Sequence, residues 1–218
     1  MKNDILLKRL IELKNTLNES DREWIDQCII KNFRPVNVDD VAVKLINLIL
    51  DVKEGVELDY ANKIGVAEKL KAAKRILKRS PSYREVLTYA YTDESGIQNI
   101  CDSYCMVRLT EPLNLPELPA EMEYVNVKRI MPKQVNPITL TLPTLGELKS
   151  YIKIKKAEKV KEIDYRFGEN MPRVNAEYLF DVMTLVPDAV ATWEKFMIVF
   201  KNEKGDYALL CILRDKDA

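Results

Sequence analysis

The chain has 218 residues, an apolar fraction of 47% and equal numbers of basic and acidic residues, 34 of each. This length allows one domain with a sizeable core, with or without a helical appendage. The neutral balance argues against nucleic-acid binding through bulk charge. No apolar run approaches a membrane span or a signal peptide, so we expect a cytoplasmic protein.

The residue types exclude several kinds of catalytic site. The chain has no histidine, which rules out a Ser/His or Cys/His nucleophile pair. Its four cysteines form no Cys-x-x-Cys motif, so a zinc site is disfavoured and small core residues in a reducing compartment are favoured. Magnesium would need converging carboxylates, which the spacing of Asp102, Asp164, Asp181 and Asp206 does not indicate. We therefore expect a protein that is not an enzyme and holds no cofactor.

The first sixty residues are predicted to form three helices. Apolar residues share one face over 4–17, and Ser20 with Glu23 has the spacing of a capping box that opens a second helix. A third helix is predicted to open at 37–40 and to continue through an apolar run. Residues 54–62 are interpreted as a bridge to the next helix. These patterns place a helical N-terminal unit at residues 1–62.

Two further helices are predicted to be basic. In 66–79, Leu70, Ala73 and Leu77 lie on one face. The basic residues on the other face are Lys71, Lys74, Arg75 and Lys78. The second basic helix is predicted to start after Thr144, to extend to about residue 158 and to include Lys153 and Lys156. Such faces are often only solvated surface, but their charge also suits contact with phosphates.

Strand signals surround these helices. Residues 83–91 and 97–109 are predicted as paired strands around a turn at 93–96. Residues 111–143 are rich in proline and are expected to be irregular, with a short strand at 138–142.

The last third of the chain has the clearest pattern. Residues 160–167 alternate like a half-buried strand, and Asn175 is predicted to cap a helix that Pro187 stops. Residues 196–200 and 207–213 are predicted as a hairpin, because the connection contains Gly205 and Asn202.

This last third resembles the final domain of a bacterial sliding clamp, the ring-forming processivity factor of the replicative DNA polymerase. The segments that carry the resemblance are IDYRFGENMPRVNAEYLFDVM and YALLCILR. Residues 101–106 also partly match the Thr-Asp-Gly-x-Arg-Leu strand of that family: Asp102 is kept, whereas Cys101, Ser103 and Cys105 replace Thr, Gly and Arg.

The resemblance implies one DNA-clamp-like domain at 63–218. The helical unit before it resembles nothing in that family, and the two together predict an α+β fold. In that domain basic helices pack on an antiparallel sheet, with a proline-rich and basic-helix insertion at about 111–158. A clamp chain has three such domains and two chains close a ring, whereas this chain has room for one. Either several copies associate as a homo-oligomer that buries exposed strand edges, or the chain is a derived module, such as a phage or mobile-element relative.

Two functional hypotheses follow. In the first, the protein is a replication processivity or tethering factor that contacts duplex DNA without reading its sequence. The residues expected to contact phosphates are Lys71, Lys74, Arg75, Lys78, Lys153 and Lys156. In the second, the protein is an interaction module that binds or mimics replication proteins and has no affinity for DNA.

The resemblance also implies a pocket for a short apolar-aromatic peptide of a replication protein. The matching positions are Cys101, Ser103, Tyr104, Met106, Cys211, Ile212, Leu213 and Arg214. They belong to one domain, so the groove is expected between two copies or against the N-terminal helices. For each residue alone the core-strand interpretation is the stronger one, because the alternation of Tyr207, Leu209, Cys211 and Leu213 is typical of any core strand. Both interpretations stay open.

Overall fold

The computed structural model describes residues 2–35, 40–80 and 83–213 of the chain. It divides into two compact units, unit 1 at Met1–Ala67 and unit 2 at Glu68–Ala218. The sheet with its helices lies in unit 2, so the protein is of mixed α+β class, as the sequence predicted.

Unit 1 contains the helices α1 (Lys2–Asn15), α2 (Glu19–Ile30) and α3 (Val41–Lys63). Their apolar faces meet in a core made of Leu10, Ile25, Cys28, Leu45, Ile46, Ile49, Leu50 and Val52. The three helices predicted for this region are therefore confirmed.

Two helix boundaries in unit 1 differ from the prediction. The capping box expected at Ser20 is wrong, because Asn18 is the N-cap and its side chain accepts a hydrogen bond of 2.9 Å from the Asp21 amide. The proposed bridge at 54–62 is also wrong, since α3 continues through it and buries Ala61. Asp40 caps α3 by accepting from the Ala42 amide at 2.8 Å, and residues 37–39 of the predicted cap lie outside the described residues.

Unit 2 is built on a sheet that, over the described residues, has seven strands, all antiparallel. They are β1 (Tyr91–Thr92), β2 (Gln98–Cys101), β3 (Cys105–Leu109), β4 (Ile138–Leu140), β7 (Val190–Glu194), β8 (Met197–Lys201) and β9 (Tyr207–Cys211), in the order β1-β2-β3-β9-β8-β7-β4. A smaller sheet pairs β5 (Asp164–Arg166) with β6 (Arg173–Asn175). The helices are α4 (Ala67–Arg79), α5 (Val127–Ile130), α6 (Leu145–Ala157) and α7 (Ala176–Leu185).

The order of elements in unit 2 contains an internal repeat. Helix α4 precedes the meander β1-β2-β3, and helix α7 precedes the meander β7-β8-β9. The last strand of each half lies at the centre of the sheet, where Met106 of β3 is opposite Leu209 of β9. The two halves thus have the same order of elements, one helix followed by three antiparallel strands, and they meet at the β3–β9 pair.

The strands predicted at 83–91 and 97–109 differ most from the structure. A 3₁₀ turn at Glu85–Thr88 takes the place of the first strand, and the Ser80 hydroxyl donates to the Leu87 carbonyl at 2.8 Å across it. The predicted strand at 97–109 is interrupted by a turn, because the Asp102 carboxylate accepts hydrogen bonds from the amides of Tyr104 and Cys105, both at 2.7 Å. This turn separates β2 from β3.

The other predicted elements of unit 2 are present. Thr144 caps α6 through a capping box with Glu147, and Asn175 caps α7. The hairpin of β8 and β9 pairs Lys201 with Tyr207. The proline-rich region is irregular as expected, yet it is packed, because Tyr124 and Met131 cover an apolar cluster on the sheet.

Asp206 fastens the β8–β9 hairpin to the end of β3. Its carboxylate accepts from the Thr110 amide at 2.9 Å and the Thr110 hydroxyl at 2.8 Å, and from Asn202 at 3.2 Å. Burial opposes ionisation of Asp206, but these hydrogen bonds outweigh it and hold the pKa of the carboxyl below its usual value. Because the folded pKa is depressed, the stabilisation is present above the unfolded pKa and is lost as the pH falls through the folded one.

We therefore predict that Asp206→Ala lowers the free energy of unfolding at pH 7 by about 1–3 kcal/mol, as expected for a buried acceptor of several hydrogen bonds. The difference from the wild type should shrink as the pH falls below about 4. Urea unfolding measures both. The matched control is Glu203→Ala, an exposed carboxylate in the same turn, and an equal loss in both variants would contradict the assigned role.

Candidate nucleic-acid interface

Helix α4 is amphipathic because its apolar residues recur at helical spacing. Ala73 and Ile76 have no exposed surface and Leu70 has 2%. Its lysines and arginines therefore lie on the side away from the core, and Lys78 is exposed. Helix α6 has a similar division, with Leu148 fully buried and Lys153 exposed.

The two basic helices and α7 surround one surface pocket of about 350 Å³, here called the α4/α6/α7 pocket. It is lined by Glu68, Arg75 and Arg79 of α4, Lys149, Ile152 and Lys156 of α6, and Glu177, Phe180 and Asp181 of α7. Except for the adjacent Phe180 and Asp181, the lining residues of each helix are three, four, seven or eleven positions apart, so each helix presents one side to the pocket.

Asp181 is at the centre of this arrangement. It is 1% exposed, and one of its oxygens accepts from Arg75 Nε at 2.8 Å and Nη2 at 2.5 Å. Its other oxygen lies 2.8 Å from Arg79 Nη2. Burial raises the pKa of Asp181, whereas both guanidinium groups favour its ionised form. One buried carboxylate thus fixes the positions of two arginines.

Other cations near the pocket are also paired with carboxylates. Lys156 lies 2.6 Å from Glu177, and Lys71 lies 2.8 Å from Glu68. The hydrogen bond from Lys71 is the main reason that the pKa of Glu68 is lowered. The lining of the pocket has four cations and three carboxylates, so its charge sums to +1.

The structure brings together only part of the predicted phosphate-contact set. Arg75 and Lys156 line the α4/α6/α7 pocket, whereas Lys71, Lys74, Lys78 and Lys153 do not. Sequence reasoning missed Arg79 and Lys149 as members of the site. Their spacing could have identified them, because Arg79 follows Arg75 by one helical turn and Lys149 precedes Lys156 by two turns. Residues at these spacings lie on the same side of a helix.

The residues predicted for the peptide pocket are divided between the core and the surface. Cys101 and Met106 are buried in the cluster that the proline-rich region covers. Strands β3 and β9 are neighbours in one sheet, and the Cys211 amide donates to the Tyr104 carbonyl at 2.9 Å, so no groove separates them within the unit. Arg214 lies outside the described residues. A groove formed with a second copy stays a prediction.

An apolar surface does occur at this end of the sheet. Tyr104 is 60% exposed, Phe196 67% and Leu213 37%. The backbone segments that contain these residues are neighbours. The Ile212 amide donates a hydrogen bond to the Phe196 carbonyl at 3.0 Å, and the Cys211 amide donates one to the Tyr104 carbonyl. We call Tyr104, Phe196 and Leu213 the sheet-end surface.

The cysteine thiols of unit 2 are poorly suited to nucleophilic chemistry. Burial raises the pKa of Cys101 to about 12 and raises that of Cys105 strongly, and the carboxylate of Asp102 adds to both effects. Thiols that stay protonated are weak nucleophiles and metal ligands. Across residues 2–35, 40–80 and 83–213, no three His, Cys, Asp or Glu residues are grouped as a metal site requires.

No described helix is both long enough and apolar enough to span a membrane. In comparisons with known proteins, the chain matches no protein-family model, no curated protein and no solved structure. The assignment of a function therefore depends on the site itself.

We predict that Asp181→Asn destabilises unit 2, because it leaves Arg75 and Arg79 beside each other without their shared carboxylate. The expected loss is roughly 2–3 kcal/mol of unfolding free energy, moderated by the partial exposure of both guanidinium groups. Urea unfolding measures it, with Asp188→Asn as the control, an exposed aspartate just after α7.

A variant that removes all three charges, Arg75→Met with Arg79→Met and Asp181→Leu, should recover most of the lost stability, because apolar replacement removes the unpaired charges. If Asp181→Asn unfolds at the same urea concentration as the wild type, the ion-pair cluster does not hold α4 to α7.

Proposed function

We propose that residues 68–218 form a single clamp-like domain that binds duplex DNA through its phosphates, without catalysis and without reading the base sequence. The observation that carries the proposal is the convergence of α4 and α6 on one pocket, where Arg75, Arg79, Lys149 and Lys156 meet. Contacts of this kind need positive charge at loose spacing and no base-edge geometry.

The pairing of Arg75 and Arg79 with Asp181 supports this role. A buried carboxylate that fixes two guanidinium groups lowers the conformational cost of presenting them to a phosphate. Two arginines and one aspartate retain a net positive charge, and exposed Lys78 and Lys153 extend the basic surface along the two helices.

The charge is also unevenly distributed between the units. Residues 1–67 have 10 basic and 12 acidic side chains, which leaves 24 basic and 22 acidic in residues 68–218. The net charges are therefore −2 and +2. This difference is small, so binding is expected to depend on the local arrangement of cations and to be sensitive to salt.

We predict that the affinity for duplex DNA falls linearly with salt on logarithmic axes, by about 0.9 for each phosphate contacted, and varies little among unrelated sequences. Replacing one exposed lysine on each basic helix, by Lys78→Glu with Lys153→Glu, should weaken binding and flatten the slope by roughly 2. Fluorescence anisotropy with a labelled duplex measures the slope.

The matched control is Lys8→Glu with Arg9→Glu, which makes the same change in charge at two exposed residues of α1. If both double variants alter the slope equally, the effect comes from net charge and not from the surface of α4 and α6. Wild-type binding that is absent at low salt would contradict the proposal.

A second candidate function is an interaction module for replication proteins that does not bind DNA. The observation that favours it is the sheet-end surface, in which two aromatic side chains and a leucine are exposed on neighbouring, hydrogen-bonded backbone segments. The ion pairs of Lys71 with Glu68 and of Lys156 with Glu177 also reduce the charge available for phosphates. An apolar-aromatic peptide is the ligand that suits such a surface.

For this second candidate we predict that a clamp-binding peptide shifts the amide signals of residues near Tyr104, Phe196 and Leu213, even at a millimolar dissociation constant, which is about 4 kcal/mol of binding energy. The measurement is a two-dimensional NMR titration of the labelled protein. Tyr104→Ser should abolish the shifts, whereas Tyr83→Ser, a change at another exposed tyrosine, should not. Shifts scattered over the whole chain would end this hypothesis.

A further inference from the structure

A row of three aromatic side chains lies on the other flank of α6. The Tyr151 and Tyr165 rings meet edge to face with their centres 5.9 Å apart, and Tyr165 meets Phe167 in the same way at 5.2 Å. All three are partly exposed. We call Tyr151, Tyr165 and Phe167 the aromatic row.

The aromatic row packs against the protein on one side and is partly exposed to solvent. Tyr165 is opposite Val174, which is fully buried, and the Tyr151 hydroxyl donates to the Asp164 carbonyl at 2.7 Å. None of these rings is paired face to face with another ring of the row, in contrast to the stacked pair of Tyr91 and Tyr124. The row therefore contains no face-to-face stack that a planar ligand would have to displace.

The segment that contains the row is rich in basic residues. Residues 151–173 contain seven Lys or Arg and four Asp or Glu, a local charge of +3 in a neutral chain. The Lys155 ammonium lies 6.0 Å from the centre of the Tyr151 ring and donates to the Glu158 carboxylate at 2.8 Å. Arg166 is exposed, but it lies on the opposite face of β5 from Tyr165, because side chains alternate along a strand. An aromatic row with a lysine at one end, in a basic part of the chain, suits a ligand that has both flat rings and negative charge.

The geometry of α6 connects the row with the proposed phosphate contacts. Tyr151 and Lys155 lie one turn apart on one flank, whereas Lys149 and Lys156 line the pocket on the opposite flank. Lys153 is exposed between the two flanks, on the side away from buried Leu148. A strand that crosses α6 can therefore meet lysines with its phosphates and the aromatic row with a base.

We propose that the aromatic row is a stacking site for unpaired bases, so that single-stranded nucleic acid binds across α6. Paired bases inside a duplex are covered by their neighbours and cannot stack on the row, which makes the site selective for unpaired strands. Stacking of this kind tolerates any sequence, because every base has a flat face. The proposal rests on the proposed function only for its phosphate contacts, which α6 supplies in both.

The test compares an oligothymidylate of about 12 nucleotides with a duplex of the same length, a size within the usual site range. Tyr165→Leu with Phe167→Leu should weaken binding of the oligothymidylate at least fivefold, about the loss of one stacked base, and leave duplex binding unchanged. Tyr165→Phe keeps the ring and should bind like the wild type. Tyr60→Leu, at an exposed tyrosine of α3, is the control.

A second measurement does not depend on the variants being folded. Ultraviolet crosslinking of wild-type protein to an oligonucleotide that contains 5-iodouracil should yield adducts on residues 151–167, identified by mass spectrometry. Crosslinks confined to other segments would overturn the proposal, as would equal binding of the oligothymidylate by the wild type and the leucine variant.

The possible results separate the two proposals. Loss of oligothymidylate binding alone in the leucine variant supports the stacking site. If the wild type binds the oligothymidylate but no duplex, and the leucine variant loses oligothymidylate binding, the result supports the stacking site and contradicts the proposed binding of duplex DNA. Equal loss of both ligands in a variant that still melts cooperatively, or no binding of either ligand by the wild type, overturns the stacking site.

Discussion

The ion-pair cluster of Asp181 with Arg75 and Arg79 is the constraint on which the basic surface of unit 2 depends. Removing a carboxylate from water is costly unless its charge is compensated. Here the compensation comes from two arginines one turn apart on α4. Breaking these ion pairs would leave the buried carboxylate uncompensated. The pairs therefore hold α4 against α7 and orient the two guanidinium groups at the pocket.

The cluster continues into a chain of contacts that reaches the sheet. The Arg79 guanidinium lies 4.4 Å from the centre of the Tyr178 ring, and Tyr178 meets Tyr104 edge to face at 6.0 Å. Burial raises the pKa of the Tyr178 hydroxyl, and the Asp102 carboxylate raises it further. Asp102 in turn orders the β2–β3 turn. Thus α4, α7 and one end of the sheet are connected by polar and aromatic contacts as well as by the apolar core.

Local sequence signals predicted the parts of this arrangement that depend on near neighbours. The caps at Asn175 and Thr144 and the hairpin of β8 and β9 were all predicted, since each depends on residues a few positions apart. The pairing of Arg75 with Asp181 spans 106 positions and could not be predicted from spacing. The same holds for the adjacency of β3 and β9, which placed Met106 in the core instead of in a groove. The turn at Asp102 was missed because apolar residues on both sides gave the impression of one continuous strand.

The most direct test of the central claim is an NMR titration of labelled full-length protein with a short DNA duplex, in which backbone amides and arginine Nε signals are followed together. The account predicts shifts of Arg75 and Arg79 Nε and of amides in α4 and α6, with unit 1 unaffected. Shifts confined to unit 1 or to the sheet-end surface, or no shift at low salt, would contradict it.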